Sequence, residues 1–140
     1  MAADGLWNWS VAARVGPDLV RGALAGALER PVHEMVPAGE LLCDVYHVGG
    51  DFPTVVDVFL APSDVTEATI ASAVAVRLHA AVLLPDDSLD ASRYILAEPD
   101  GTLRPVHVDE EETDDGTERR GLRPCDGCEP ACTPGRPAAA

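Results

Sequence analysis

The sequence contains no lysine and no glutamine, a single asparagine, and only two each of Trp, Tyr and Phe. Without lysine there is no side-chain amine to form a Schiff base, no side-chain ammonium to reach the phosphates of a P-loop nucleotide, and no kinase-type lysine ion pair. All ten basic residues are arginine. Long apolar runs are missing too: none approaches the roughly 18 residues that a helical membrane span requires. Residues 1–16 hold Asp4, Trp7, Trp9 and Arg14 and lack the basic-then-apolar order of a secretory signal. A cytoplasmic location is expected, where thiols stay reduced. The serines (Ser10, Ser63, Ser72, Ser88 and Ser92) lack the GxSxG elbow of a serine hydrolase. The abundance of Ala, Gly, Pro, Arg and Val beside these gaps reads as a GC-rich bacterial coding bias.

What the chain has in excess is acid. Its 24 Asp and Glu against ten Arg give a formal charge of −14 over 140 residues. Binding to nucleic acid is built on cationic side chains that release counterions from phosphate, so direct nucleic-acid binding is disfavoured, as is an anionic membrane surface. The same field attracts and steers a cationic protein. Hydrophobic residues make up 46% of the chain, enough for a folded core in one domain with an appendage.

Residues 7–15 alternate Trp7, Trp9, Val11 and Ala13 against Asn8, Ser10 and Arg14, the period of a half-buried strand. The Trp pair is expected in the core. Pro17 and Asp18 suit a helix start, and apolar pairs recurring every four residues predict an amphipathic helix over 18–30, ended by Pro31. Three extended segments come next, 32–36, 41–48 and 54–60, the last two forming a hairpin around Gly49-Gly50. Asp64-Val-Thr-Glu67 has the form of a capping box ahead of a helix to residue 78, with His79 at its C-terminal dipole. Residues 80–84 make a short strand, and 94–98 with 103–108 a final hairpin across Pro99-Asp100-Gly101.

This order predicts an α+β fold, a split βαβ or ferredoxin-like antiparallel sheet with two helices on one face, plus a C-terminal hairpin. The compact domain is expected over 1–108. Residues 109–118, DEEETDDGTE, carry no apolar side chain, so 109–140 is expected as a disordered tail, acidic and then rich in Pro and Cys.

Candidate chemistry is sparse. Cys125-x2-Cys128-x3-Cys132 has half the spacing of a zinc site, whose fourth ligand would come from Cys43, His107 or a second chain. Cys43 and His47 share one strand face, with His33 on a neighbouring segment, but no orienting carboxylate joins them, and Cys43 reads as a small core residue. Gly49-Gly50-Asp51 lies between strands and reads as a turn, not a phosphate cradle. Asp86, Asp87 and Asp90 lack the glycine and terminal glutamate of an EF-hand loop.

Asp44, Asp51 and Asp57 are expected on the sheet face or loops away from the helices. With Asp109, Glu110, Glu111 and Glu112 they form an anionic docking surface for a basic protein partner. The expected function is therefore a non-enzymatic acidic binding module, an immunity- or antitoxin-like neutraliser or escort, with no cofactor. The alternative is a small regulatory or assembly protein that holds zinc through Cys125, Cys128 and Cys132.

Overall fold

The computed structural model describes residues 5–29, 42–62, 64–85 and 93–125. The extended segment expected at 32–36, His33, the Asp86–Asp90 cluster, Cys128 and Cys132 lie outside these residues. The described chain runs β1 (Gly5–Val11), α1 (Pro17–Leu28), β2 (Leu42–His47), β3 (Thr54–Ala61), α2 (Glu67–Leu78), β4 (Val82–Pro85), β5 (Arg93–Ala97), β6 (Leu103–Thr113) and β7 (Gly116–Pro124). It is an α+β fold. The seven strands form one sheet in the order β2-β3-β1-β4-β5-β6-β7, every ladder antiparallel, curled into a half-barrel.

Alternation along β1 decides the layering. Trp7, Trp9 and Val11 point to one face, where they meet Val56 and Val58 of β3, Cys43 of β2, and Val82 and Leu84 of β4. Both helices cover that face, α1 through Val20, Ala23, Leu24 and Leu28, α2 through Ile70, Ala71, Val74 and Ala75. The two indoles stack at 5.5 Å between ring centroids, 14° from parallel. Small residues let the helices approach each other, and the Arg77 guanidinium donates to the Gly26 carbonyl across the gap.

Pro17 occupies the first turn of α1 as its missing N–H allows, with Asp18 beside the positive end of the dipole. The helix ends at Leu28, with Glu29 in the left-handed region, and so stops before Pro31 is reached. α2 starts at Glu67, two residues later than the capping box expected at residues 64–67 would start it. Thr66 is the N-cap and makes no side-chain cap bond, while Glu67 accepts a 2.9 Å hydrogen bond from the Trp9 indole. A buried N–H has to be satisfied, and Glu67 is the carboxylate that satisfies it.

Residues 109–118, expected to be disordered, instead continue β6 to Thr113 and begin β7 at Gly116. The boundary expected after Val108 thus falls inside a strand. The acidic strand is held because arginines stand opposite it: Asp109 pairs in register with Arg120, and Glu110 with Arg119. Opposite charges across a ladder supply what apolar pairs would otherwise supply. Gly121 and Leu122 together face the single residue Val108, a bulge that Gly121 accommodates at φ 72°. Bulges bend and twist a strand, and this one turns the hairpin over the face opposite the helices. A second, smaller core forms there from Phe52, Leu83, Leu96, Val106 and Val108.

The curl is fastened where β7 meets the β2–β3 turn. Gly50 bridges to Arg119, and the Asp51 N–H donates to the Arg119 carbonyl at 2.8 Å. Gly50 has φ 89°, and a Cβ there would lie 2.9 Å from the Arg119 carbonyl oxygen, so the junction requires glycine.

Candidate functional site

The concave face of the half-barrel, away from the helices, carries polar groups from β1, β2, β3, β5, β6 and β7. Its closed end is built around Arg119, a buried side chain on β7. Arg119 donates through Nη1 to Ser10 Oγ at 2.9 Å, and through Nε to Glu110 at 3.1 Å and the Tyr94 hydroxyl at 3.3 Å. Tyr94 also donates to Glu110, and the guanidinium carbon lies 5.6 Å from the Tyr94 ring centroid. A planar cation is thus held by a carboxylate at its edge and an aromatic ring against it. Ser10 serves as acceptor for a cation here, which suits packing and not nucleophilic attack.

The open end is a lattice of cross-strand neighbours on β2, β3 and β1. Asp44 stands in register with Asp57, which in turn stands beside Asn8, and Asn8 Nδ2 donates to Asp57 Oδ1. One step along, Phe59 pairs with Leu6, and one step the other way Tyr46 pairs with Val55 and Val55 with Ser10. Leu6, Phe59 and Tyr46 are 59%, 40% and 39% exposed, so the two carboxylates lie between apolar groups that face water. Among the described residues neither Asp44 nor Asp57 has a cation within ion-pairing distance. The hairpin tip packs against Tyr46, since a Cβ on Gly116 would lie 3.4 Å from that ring. Burial first, then Asp57, raises the Tyr46 phenol above its ordinary pKa; Arg119 partly offsets this, while Asp44 and Glu112 add to it.

The expected docking acids therefore separate into two groups and one outlier, Glu111. Asp44 and Asp57 face the open lattice. Asp51 accepts from the Gly121 N–H at 3.1 Å, Asp109 pairs with Arg123 at 3.2 Å, Glu110 holds Arg119, and Glu112 accepts from the Thr117 hydroxyl at 2.7 Å. Those four fasten the hairpin. Glu111 is exposed opposite Glu118.

Cys43 is 1% exposed in the helix-side core, and burial pushes its thiol up to about 12, against a smaller lowering by Arg21. Its thiol is protonated at neutral pH and is no nucleophile. His47 directs Nε2 to the Val15 carbonyl at 2.8 Å, a structural bond that ties β2 to the chain before α1. Of the zinc ligands considered, Cys125 is half-buried and its N–H donates to the Pro105 carbonyl, and His107 is buried in β6. Among the described residues no three His, Cys, Asp or Glu are grouped to hold a metal ion. Arg119 is the site residue that sequence reasoning misses; the signal for it is its position across an Asp-Gly turn from the acids it pairs with. The chain matches no protein-family model, no curated protein and no solved structure.

Proposed function

We propose that this protein is a non-enzymatic acidic module that captures a more basic protein, as an immunity protein or antitoxin does, and acts in the cytoplasm. The observation that carries the reading is the Asp44–Asp57 pair, opposed in register on the sheet face away from both helices, with no cation of the described residues beside it. The formal charge of −14 supplies long-range attraction, which raises the encounter rate, and the open carboxylates supply the contact. The hairpin acids contribute to the field, while Asp109 and Glu110 remain engaged with Arg123 and Arg119. We also read β1 to β4 with α1 and α2 as a split βαβ, ferredoxin-like unit; the order β2-β3-β1-β4 supports this, and β5 to β7 extend it.

The test is affinity capture from the native host with the intact protein and with an Asp44→Asn/Asp57→Asn variant, at low and high salt. Basic proteins held at low salt, released at high salt and lost by the variant support the reading. Capture that is indifferent to both salt and the substitutions, or turnover of a co-purified compound, overturns it.

A further inference from the structure

The identity of the group received by the open lattice can be argued from its chemistry, given the reading of the chain as a cation-capturing module. We infer that the concave-face lattice of Asp44, Asp57, Leu6, Phe59 and Tyr46 is a receptor for an arginine side chain of a basic protein partner.

Two carboxylates directly opposed across a ladder repel each other, an arrangement sheets ordinarily avoid. Here the arrangement lies on an exposed face with a cation absent among the described residues, so a cation supplied from outside relieves it. The groups around the pair specify which cation. Leu6, Phe59 and Tyr46 present apolar and aromatic surface, and a guanidinium is planar and weakly hydrated, with apolar faces and a forked edge for carboxylate oxygens. An ammonium is compact and strongly hydrated, and loses more on entering an apolar rim. Stacking against Tyr46 while the edge pairs with Asp44 and Asp57 uses both the aromatic and the carboxylate groups of the lattice, with Leu6 and Phe59 as its apolar rim.

The closed end of the same face already contains this arrangement. Arg119 lies 5.6 Å from the Tyr94 ring and bonds Glu110, an aromatic ring and a carboxylate around one guanidinium. The open end repeats the aromatic and the carboxylates and, among the described residues, lacks the arginine. Asn8 holds Asp57 in place from β1, so the acceptor is formed before a partner arrives.

The experiment compares short glycine-spaced peptides of equal charge, one carrying arginine and the other lysine, titrated into the intact protein at low salt and followed by backbone amide NMR. The arginine peptide is expected to bind about tenfold more tightly, with shifts concentrated at Leu6, Asp44, Tyr46, Asp57 and Phe59. Tyr46→Ser, with its fold verified by the unchanged remainder of the spectrum, is expected to remove the arginine preference and leave the weaker lysine binding. Equal affinity for the two peptides, or shifts confined to residues 109–112, overturns the inference while leaving an acidic binder intact. Failure of both peptides to bind at low salt removes the capture reading as well. Arginine-peptide binding that tightens on Arg30→Ser or Arg136→Ser, the two arginines outside the described residues, means that an arginine of this chain fills the lattice, and overturns the proposal of an outside partner.

Discussion

Arg119 Nη1 donates to Ser10 Oγ at 2.9 Å, joining the last strand to the first across 109 residues of sequence. The bond lies under the curled hairpin, and its energetics are unequal on the two sides of the Arg119–Glu110 pair. The arginine side chain is 10% exposed and the glutamate 33%. Removing the glutamate strands a nearly buried cation, whereas removing the arginine leaves an acid that can still reach water. Glu110→Ala is therefore expected to destabilise more than Arg119→Met. The first should cost on the order of 2–3 kcal/mol, below the full figure for a buried pair because Glu110 is partly solvated. Urea unfolding of the two variants checks the order, and a larger loss for Arg119→Met would contradict it.

Truncation distinguishes the strands the fold needs from the residues beyond β7. A chain ending at Val108 loses β7 and half of β6, uncovering Phe52, Leu83, Leu96 and Val106, all buried. At about 1.5–3 kcal/mol for each large apolar side chain returned to water, the loss rivals the roughly 5–15 kcal/mol by which a whole domain is stable. A chain ending at Cys125 keeps every strand of the described residues. The longer piece is expected to unfold cooperatively on heating with its near-UV circular dichroism intact, and the shorter piece to lose both. A folded 1–108 fragment would show the hairpin to be dispensable.

The helix-bearing half is legible in the sequence because its periods are undiluted. Trp7, Trp9 and Val11 alternate with Asn8 and Ser10, and Val20, Leu24 and Leu28 recur at helical spacing. The same alternation puts Asp44 and Asp57 on the face away from the helices, where the structure has them. The second half of β6 is not legible, because the concave-face partners of Glu110 and Glu112 are Arg119 and Thr117 instead of apolar residues. A strand acidic on both faces carries no contrast of period two. The usable signal is complementary charge on either side of Asp115-Gly116, acids before and Arg119, Arg120 and Arg123 after. The start of α2 is displaced for a different reason: local spacing cannot reveal that Trp9, 58 positions away, takes the Glu67 carboxylate.

Cys43 makes stability depend on alkaline pH with a definite sign. Its thiol ionises near 9.0 in the unfolded chain and at about 12 in the folded one, chiefly because it is buried. Above 9.0 the unfolded state holds fewer protons than the folded state, so stability falls as pH rises and is unaffected by this group below. The slope is about 1.4 kcal/mol per pH unit. Unfolding free energies measured from 9.0 towards 10.0, where Tyr46 begins to add a slope of the same sign, are expected to fall in the native protein and stay flat in Cys43→Ala. Native Cys43 is also expected to resist iodoacetamide at neutral pH and to react on unfolding. Ready alkylation in the folded state would place the thiol outside the core.

The Asp44–Asp57 pair predicts a trade between stability and binding. Like charges opposed across a ladder cost about 0.2–1 kcal/mol, so Asp44→Asn is expected to raise the unfolding free energy by that amount, read as a higher denaturation midpoint with an unchanged dependence on denaturant. Asp57→Asn gains less, because Asp57 accepts the Asn8 amide and its replacement weakens that bond. Added salt screens the repulsion, so it should stabilise the native protein more than it stabilises Asp44→Asn. A residue whose removal strengthens the fold while weakening capture of a basic partner is positioned for the partner and not for packing. If Asp44→Asn instead lowers the midpoint, a stabilising cation already sits beside that carboxylate and the lattice is not open.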